Sequence, residues 1–145
     1  MFRNTTIALL SLCAAFATWL FAQSRPAPLI VNAATAQWTH EANDPPGTEA
    51  ILLRRNAASG SMELMVRFPA GHVIKPHWHD SDERILVLEG RLAIGQEQPA
   101  QVEAGGYAFL PARQTQYLTC ASQTRCTFYL GWDGNAASHA GTAPK

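Results

Sequence analysis

His77 and His79 are separated by one residue, and Glu83 follows four residues later. On an extended strand, side chains two apart face the same way, so both imidazoles reach one space while Trp78 turns to the opposite face. Asp80-Ser81-Asp82 reads as a polar turn, which lets Glu83 open the next strand within reach of that space. Two neutral imidazoles and a carboxylate form a facial ligand set that leaves coordination positions open. Such a set holds a divalent metal, with iron or manganese the favoured expectation and zinc or nickel also fitting. The open positions accept water, dioxygen or a chelating substrate. Glu83 is in addition a candidate catalytic base, since a carboxylate at a metal site can take up a proton. A plainer reading competes with this one: two ordinary surface histidines on an edge strand.

The elements that must carry these residues are strands. Met62, Leu64, Val66 and Phe68 alternate with Glu63 and Arg67, the pattern of a half-buried strand. Residues 84–88 and 91–94 read as two strands around Glu89-Gly90, a tight hairpin. The 102–110 stretch is interrupted by Gly105-Gly106 and stopped by Pro111, and Gln116–Cys120 and Cys126–Leu130 make a last pair. No segment has a long helical period. Many short strands at regular spacing predict an all-β fold, an antiparallel sandwich or closed barrel over 50–134. Residues 25–49 read as a linker and N-terminal strand arm, and 135–145 as a flexible tail. His40 and His139 fall in expected loops, and His72 reads as a surface or mouth residue.

The spacing Gly71, five residues, His77-Trp78-His79, three residues, Glu83, six residues, Gly90 matches the first cupin motif at every named position. Gly105, five residues, Pro111 resembles the start of the second. The stretch FPAGHVIKPHWHDSDERILVLEG is similar to small single-domain bacterial cupins grouped with the anti-sigma-factor cupin domain. The resemblance spans about residues 60–132 and implies an antiparallel double-stranded β-helix, the cupin or jelly-roll barrel, with a metal in its mouth. It also implies a homodimer. The second motif departs from the pattern: Arg113 takes a glycine place, Gln116 a histidine place and Cys120 an asparagine place. Gln116 then has three roles open to it: a fourth metal ligand through its side-chain oxygen, a substrate-orienting amide, or a hydrogen-bonded filler. Arg113 either binds a carboxylate substrate near the mouth or points outward as a surface arginine.

Cys120 lies four strand residues from Gln116, about 13 Å, too far to share one ion with it. Cys120 and Cys126 instead flank a short polar loop and read as a disulfide between facing strands, against the alternative of two buried thiols. That bond fits an oxidising compartment. Residues 1–24 carry one charge, Arg3, then an apolar run from Ile7 to Phe21, shorter than the roughly 20 residues that span a bilayer. This is the pattern of a secretory signal peptide, so the mature chain is expected to be periplasmic or secreted and not stably inserted in a membrane; an uncleaved anchor is the alternative.

The chain has 145 residues, enough for one core. With 47% hydrophobic residues it is not a disordered chain, and 11 basic against 11 acidic residues leave no electrostatic footprint for nucleic acid. There is no metalloprotease helix, phosphate loop or nucleophile elbow. The expected partner is a small molecule. The expected activity is oxygenase-like on a small chelating substrate, with a non-enzymatic ligand-binding or sensing module as the rival and a redox-free isomerase as a third reading.

Overall fold

The computed structural model describes residues 27–40 and 46–145. The proposed signal peptide lies outside the described residues. Among the described residues, ten strands form two five-stranded antiparallel sheets. In chain order they are β1 (Glu49–Arg55), β2 (Met62–Phe68), β3 (Val73–His79), β4 (Glu83–Glu89), β5 (Arg91–Ile94), β6 (Ala100–Glu103), β7 (Tyr107–Leu110), β8 (Gln116–Cys120), β9 (Cys126–Trp132) and β10 (Ser138–Ala140). One sheet has the order β1-β2-β9-β4-β7 and the other β10-β3-β8-β5-β6. No helix occurs among the described residues. The expected all-β class and double-stranded β-helix are what the chain adopts.

Alternation builds the interior in rungs. Across the first sheet, Met62, Trp132 and Glu83 lie in register, then Leu64, Leu130 and Ile85, then Val66, Phe128 and Val87, and finally Phe68 with Cys126. The second sheet faces them with His77 beside Gln116, Ile74 beside Leu118 and Ile94, and Leu92 beside Cys120. Ile85, Val87, Leu92, Phe128, Cys120 and Cys126 are fully buried between the sheets. The rungs run from polar at one end, Glu83 and Gln116, to a sulfur-capped end at Cys120 and Cys126.

β3 is where parity would fail without help. Ile74 and His77 are three residues apart yet both pair inward with β8, because the register shifts between them. A bulge inserts the extra residue. Pro76, which has no N–H to give a ladder, sits within that break.

Three elements depart from the sequence expectation. Glu89-Gly90 is not a hairpin turn, since β4 and β5 lie in different sheets and Gly90 carries the chain across. Gly90 has φ +79°, and a Cβ there would stand 2.8 Å from both the Arg125 carbonyl and Ser122 Oγ. The half-buried corner packs against the 122–126 loop, and only glycine fits it. β8 and β9 likewise belong to different sheets, so the disulfide Cys120–Cys126, with Cα atoms 5.7 Å apart, staples sheet to sheet and does not close a hairpin. Third, the segment expected to be a flexible tail contains β10, paired to β3 by Ser138–His79, His139–Trp78 and Ala140–His77. The pairing satisfies the free edge of β3, which short polar sequence did not advertise. Of the expected N-terminal arm, the described part makes one bridge, Thr39 to Ala50, and sets Trp38 under the Arg67 guanidinium at 3.6 Å.

Candidate metal centre

The bulge in β3, the turn at 80–82 and the start of β4 bring His77, His79 and Glu83 together. One donor atom from each lies within 4.8 Å of the others. His79 and Glu83 are almost fully enclosed, with 5% and 2% exposure. Trp132 shields them from one side, its ring 5.2 Å from that of His79.

Backbone carbonyls decide which nitrogens are free. His77 Nδ1 lies 3.0 Å from the Lys75 carbonyl, and His79 Nδ1 lies 3.2 Å from the carbonyls of Ala136 and Ala137. A carbonyl only accepts, so each Nδ1 carries the proton and donates it. Both Nε2 lone pairs are then left for another partner. His79 Nε2 faces Glu83 Oε2 at 3.4 Å, and Oε2 has no hydrogen-bond partner.

The electrostatics agree with that geometry. Burial lowers the pKa of His79, aided by neighbouring His77, although the carbonyls of Ala136 and Ala137 pull the other way. The imidazole is therefore neutral. Burial raises the Glu83 carboxyl from 4.5 to about 7, with the nearby Gln116 amide opposing the shift. Two lone-pair donors thus face one another across a gap with nothing between them but a proton or a cation. A divalent cation fits this donor set: it supplies the charge that the buried carboxylate lacks and accepts both imidazoles in the neutral form that binds metals.

Gln116 is also inside, 3% exposed and in register with His77. Neither its Oε1 nor its Nε2 makes a hydrogen bond, so its amide stands next to Glu83 without aligned contact. Arg113 differs. It is exposed, and its backbone N–H donates to the His79 carbonyl at 2.9 Å, with φ +58°. Cys120 is committed to its disulfide and lies on the far rung.

Sequence reasoning missed the groups that hold and cover His79. Ala136, Ala137 and Trp132 all contribute, and His139 is not in a solvated loop but in β10, where its ring stacks on Trp78 at 4.0 Å. Continuing the Phe128, Leu130 alternation by two residues would have found Trp132. No side-chain signal marks a carbonyl donor site such as Ala136. A cavity of about 780 Å³ opens between β1, β2 and β3, walled by Met62, Leu64, Val66, Phe68, His72 and Ile74; none of the three metal donors lines it.

The family model for the ChrR cupin-like domain matches residues 26–133. The chain belongs to the ChrR cupin-like domain family. Among solved structures, this cupin is similar to an RmlC-like cupin from Ralstonia eutropha, with TM-score 0.68 and 15% identity over 79% of this chain and 73% of that one. It is similar to a putative acetylacetone dioxygenase from Methylibium petroleiphilum, TM-score 0.64 and 20% identity, covering 77% and 81%. It is also similar to the polyketide cyclase RemF from Streptomyces resistomycificus, TM-score 0.63 and 16% identity, covering 80% and 87%. Identities this low speak for the shared fold. No curated protein sequence matches the chain.

Proposed function

We propose that this cupin is an exported metalloprotein holding one divalent ion, iron or manganese before zinc or nickel, through His77 Nε2, His79 Nε2 and Glu83. The observation that carries the proposal is the buried, unpartnered Glu83 Oε2 facing the free Nε2 of His79. The bound ion would supply Lewis acidity and open positions for a small chelating substrate and dioxygen. The likeness to a putative acetylacetone dioxygenase from Methylibium petroleiphilum is in keeping with an oxygenase-like activity.

The chain's own residues divide the remaining work. Lys75 and the 136–137 carbonyls fix both imidazole tautomers. Trp132 keeps water from the buried side. Glu83, whose carboxyl burial raises to about 7 in the metal-free site, gives up its proton when the ion binds, and its carboxylate is the candidate base beside it. Gln116 offers an uncommitted amide, either as a fourth ligand through Oε1 or as a hydrogen-bonding group for substrate. Arg113, tethered through its backbone to His79, supplies an exposed cation for a substrate carboxylate.

A second reading has its own support. The cavity between β1, β2 and β3 is mostly apolar and of a size that suits a small ligand, and none of the three metal donors lines it. A binding or sensing module would use it without chemistry. Export is supported by the buried disulfide, which an oxidising compartment preserves. Among the described residues no helix is long and apolar enough to cross a membrane. A homodimer is supported by the exposed outer-face cluster of Leu86, Leu88, Tyr107 and Phe109 beside the free edge of β7.

Elemental analysis of protein purified without chelator tests the central claim, with His77→Ala/His79→Ala as the control. Iron or manganese near one per chain, absent from the double variant, is expected. Stoichiometric zinc would redirect the reading toward isomerisation or a structural ion. A wild-type chain that takes up no iron, manganese, nickel or zinc when these are supplied would overturn the metal reading and leave the binding module.

A further inference from the structure

The segment after β9 does more than finish the barrel. Its Ala136 and Ala137 carbonyls are the acceptors of the His79 Nδ1 proton, so they hold one metal-facing ring from a distance of 57 and 58 residues in sequence. Carbonyls on a loop can do this only if the loop is pinned. The pins are visible on both sides. Ahead of them, Ser81 Oγ donates to the Asn135 carbonyl at 2.8 Å, and Asn135 Nδ2 donates to Asp80 Oδ2 at 3.3 Å. Behind them, Gly141 N–H donates to the Pro76 carbonyl at 2.8 Å and Ala143 N–H to Thr115 Oγ1 at 2.9 Å.

The strongest pin is His139. Its Nε2 is 2.9 Å from Asp80 Oδ2, and its ring lies nearly parallel to Trp78, 19° off, at 4.0 Å. Trp78 is the residue between the two histidine ligands, and Asp80 follows the second. His139 therefore grips the ligand strand on both flanks of His79 from its outer face, while Ala136 and Ala137 grip the ring from inside.

We infer that residues 135–140 form a strap that fixes the His79 tautomer and aim, with His139 as a positioning residue for the metal centre through its contacts with Asp80 and Trp78. The inference rests on the proposed metal site, but half of its test does not. Loss of a partner that orients a ligand typically weakens metal affinity by about 10- to 100-fold.

The test compares wild type with His139→Ala, Asp80→Ala and Asp80→Asn. Two quantities are read: the Kd for Mn(II) by calorimetry, and the ¹⁵N shifts of the His79 ring in metal-free protein. His139→Ala and Asp80→Ala are expected to weaken Mn(II) binding about tenfold and to move His79 from the Nδ1–H form toward a tautomer mixture. Asp80→Asn keeps an acceptor oxygen for His139 Nε2 and should behave close to wild type. Should His139→Ala fail to fold, His139→Phe keeps a ring on Trp78, donates nothing to Asp80 and carries the same comparison. Variants that melt earlier but keep both the wild-type Kd and the wild-type ring shifts would overturn the strap and leave β10 a merely structural strand. If wild type binds no divalent metal, the proposed function falls, and the ring shifts alone decide the strap.

Discussion

The two ends of this barrel are built on opposite principles. At the sulfur end, Phe68, Phe128, Cys120 and Cys126 close the sheets on one another, with Phe68 and Phe128 edge to face at 4.9 Å and the disulfide bridging β8 to β9. At the other end, about 20 Å away along β2 by strand rise, the same interior positions hold Glu83, His79 and Gln116, and polar atoms of Glu83 and Gln116 lie buried without partners. One end is packed and cross-linked, although His72 Nε2 beside Phe68 is buried there without a hydrogen-bond partner. The other leaves hydrogen-bonding capacity unspent in a low-dielectric space, an arrangement that destabilises the fold unless a ligand completes it. The first end ties the sheets together, and the second gathers the donors that could hold a metal ion.

The widest separation between the ends should appear on titrating the metal-free protein. A carboxyl whose folded pKa stands above its unfolded one contributes stability that is complete below the unfolded value and lost as pH rises through the folded value. For Glu83 the window runs from 4.5 to about 7, and the loss across it is on the order of 3 kcal/mol. His79 has the opposite sign, since its lowered pKa withdraws stability as pH falls below 6.5. Urea unfolding of wild type and Glu83→Gln from pH 4 to 8 checks this: the variant should lose the decline between 4.5 and 7. Metal-loaded protein should also lose it and bind more tightly as pH rises, because Glu83 gives up its proton on binding. An undiminished decline in Glu83→Gln would put the cause elsewhere.

A smaller effect belongs to the closed end. Cys120 and Cys126 enclose a short loop, with a sequence separation of 6. Loop-closure entropy for such a loop gives about 2 kcal/mol. Cys120→Ala/Cys126→Ala should lower the unfolding free energy read from urea titration by that amount while leaving the Mn(II) Kd within twofold of wild type. A tenfold weaker Kd would mean that the ends are coupled through β8, which carries both Gln116 and Cys120, and the division of labour drawn above would fail.

What was legible in the sequence follows the same division. Side-chain alternation disclosed β2, β8 and most of β9, and the His77, His79, Glu83 spacing disclosed a cluster that could hold a metal ion, because those signals reside in residue types at fixed intervals. Which strands pair is a different kind of information. Glu89-Gly90 looks the same in sequence whether it folds a hairpin or turns a corner between sheets, and only the 2.8 Å approach of the 122–126 loop to Gly90 distinguishes them. The strap was illegible for a related reason: Ala136 and Ala137 act through carbonyls, which every residue has, and β10 is three residues of low strand propensity given their shape by the free edge of β3.

Arg113 offers the smallest effect and a sharp one. It is the only non-glycine residue with positive φ among the described residues, at +58°, and it stands where the family motif has glycine. That conformation costs a side-chain-bearing residue about 1–2 kcal/mol, whereas glycine adopts it freely. Glycine in turn adds unfolded-state freedom, about 0.4–1 kcal/mol, so Arg113→Gly should raise stability by no more than about 1.6 kcal/mol. Arg113→Val, branched at Cβ, should lower it by a comparable amount. Both keep the backbone N–H that donates to the His79 carbonyl, so neither should move the Mn(II) Kd. Turnover or binding of a carboxylate-bearing ligand should fall in both, since both remove the guanidinium. If stability follows this order but carboxylate binding does not change, the arginine is a surface residue, and the strain at 113 has been retained for no gain at the site.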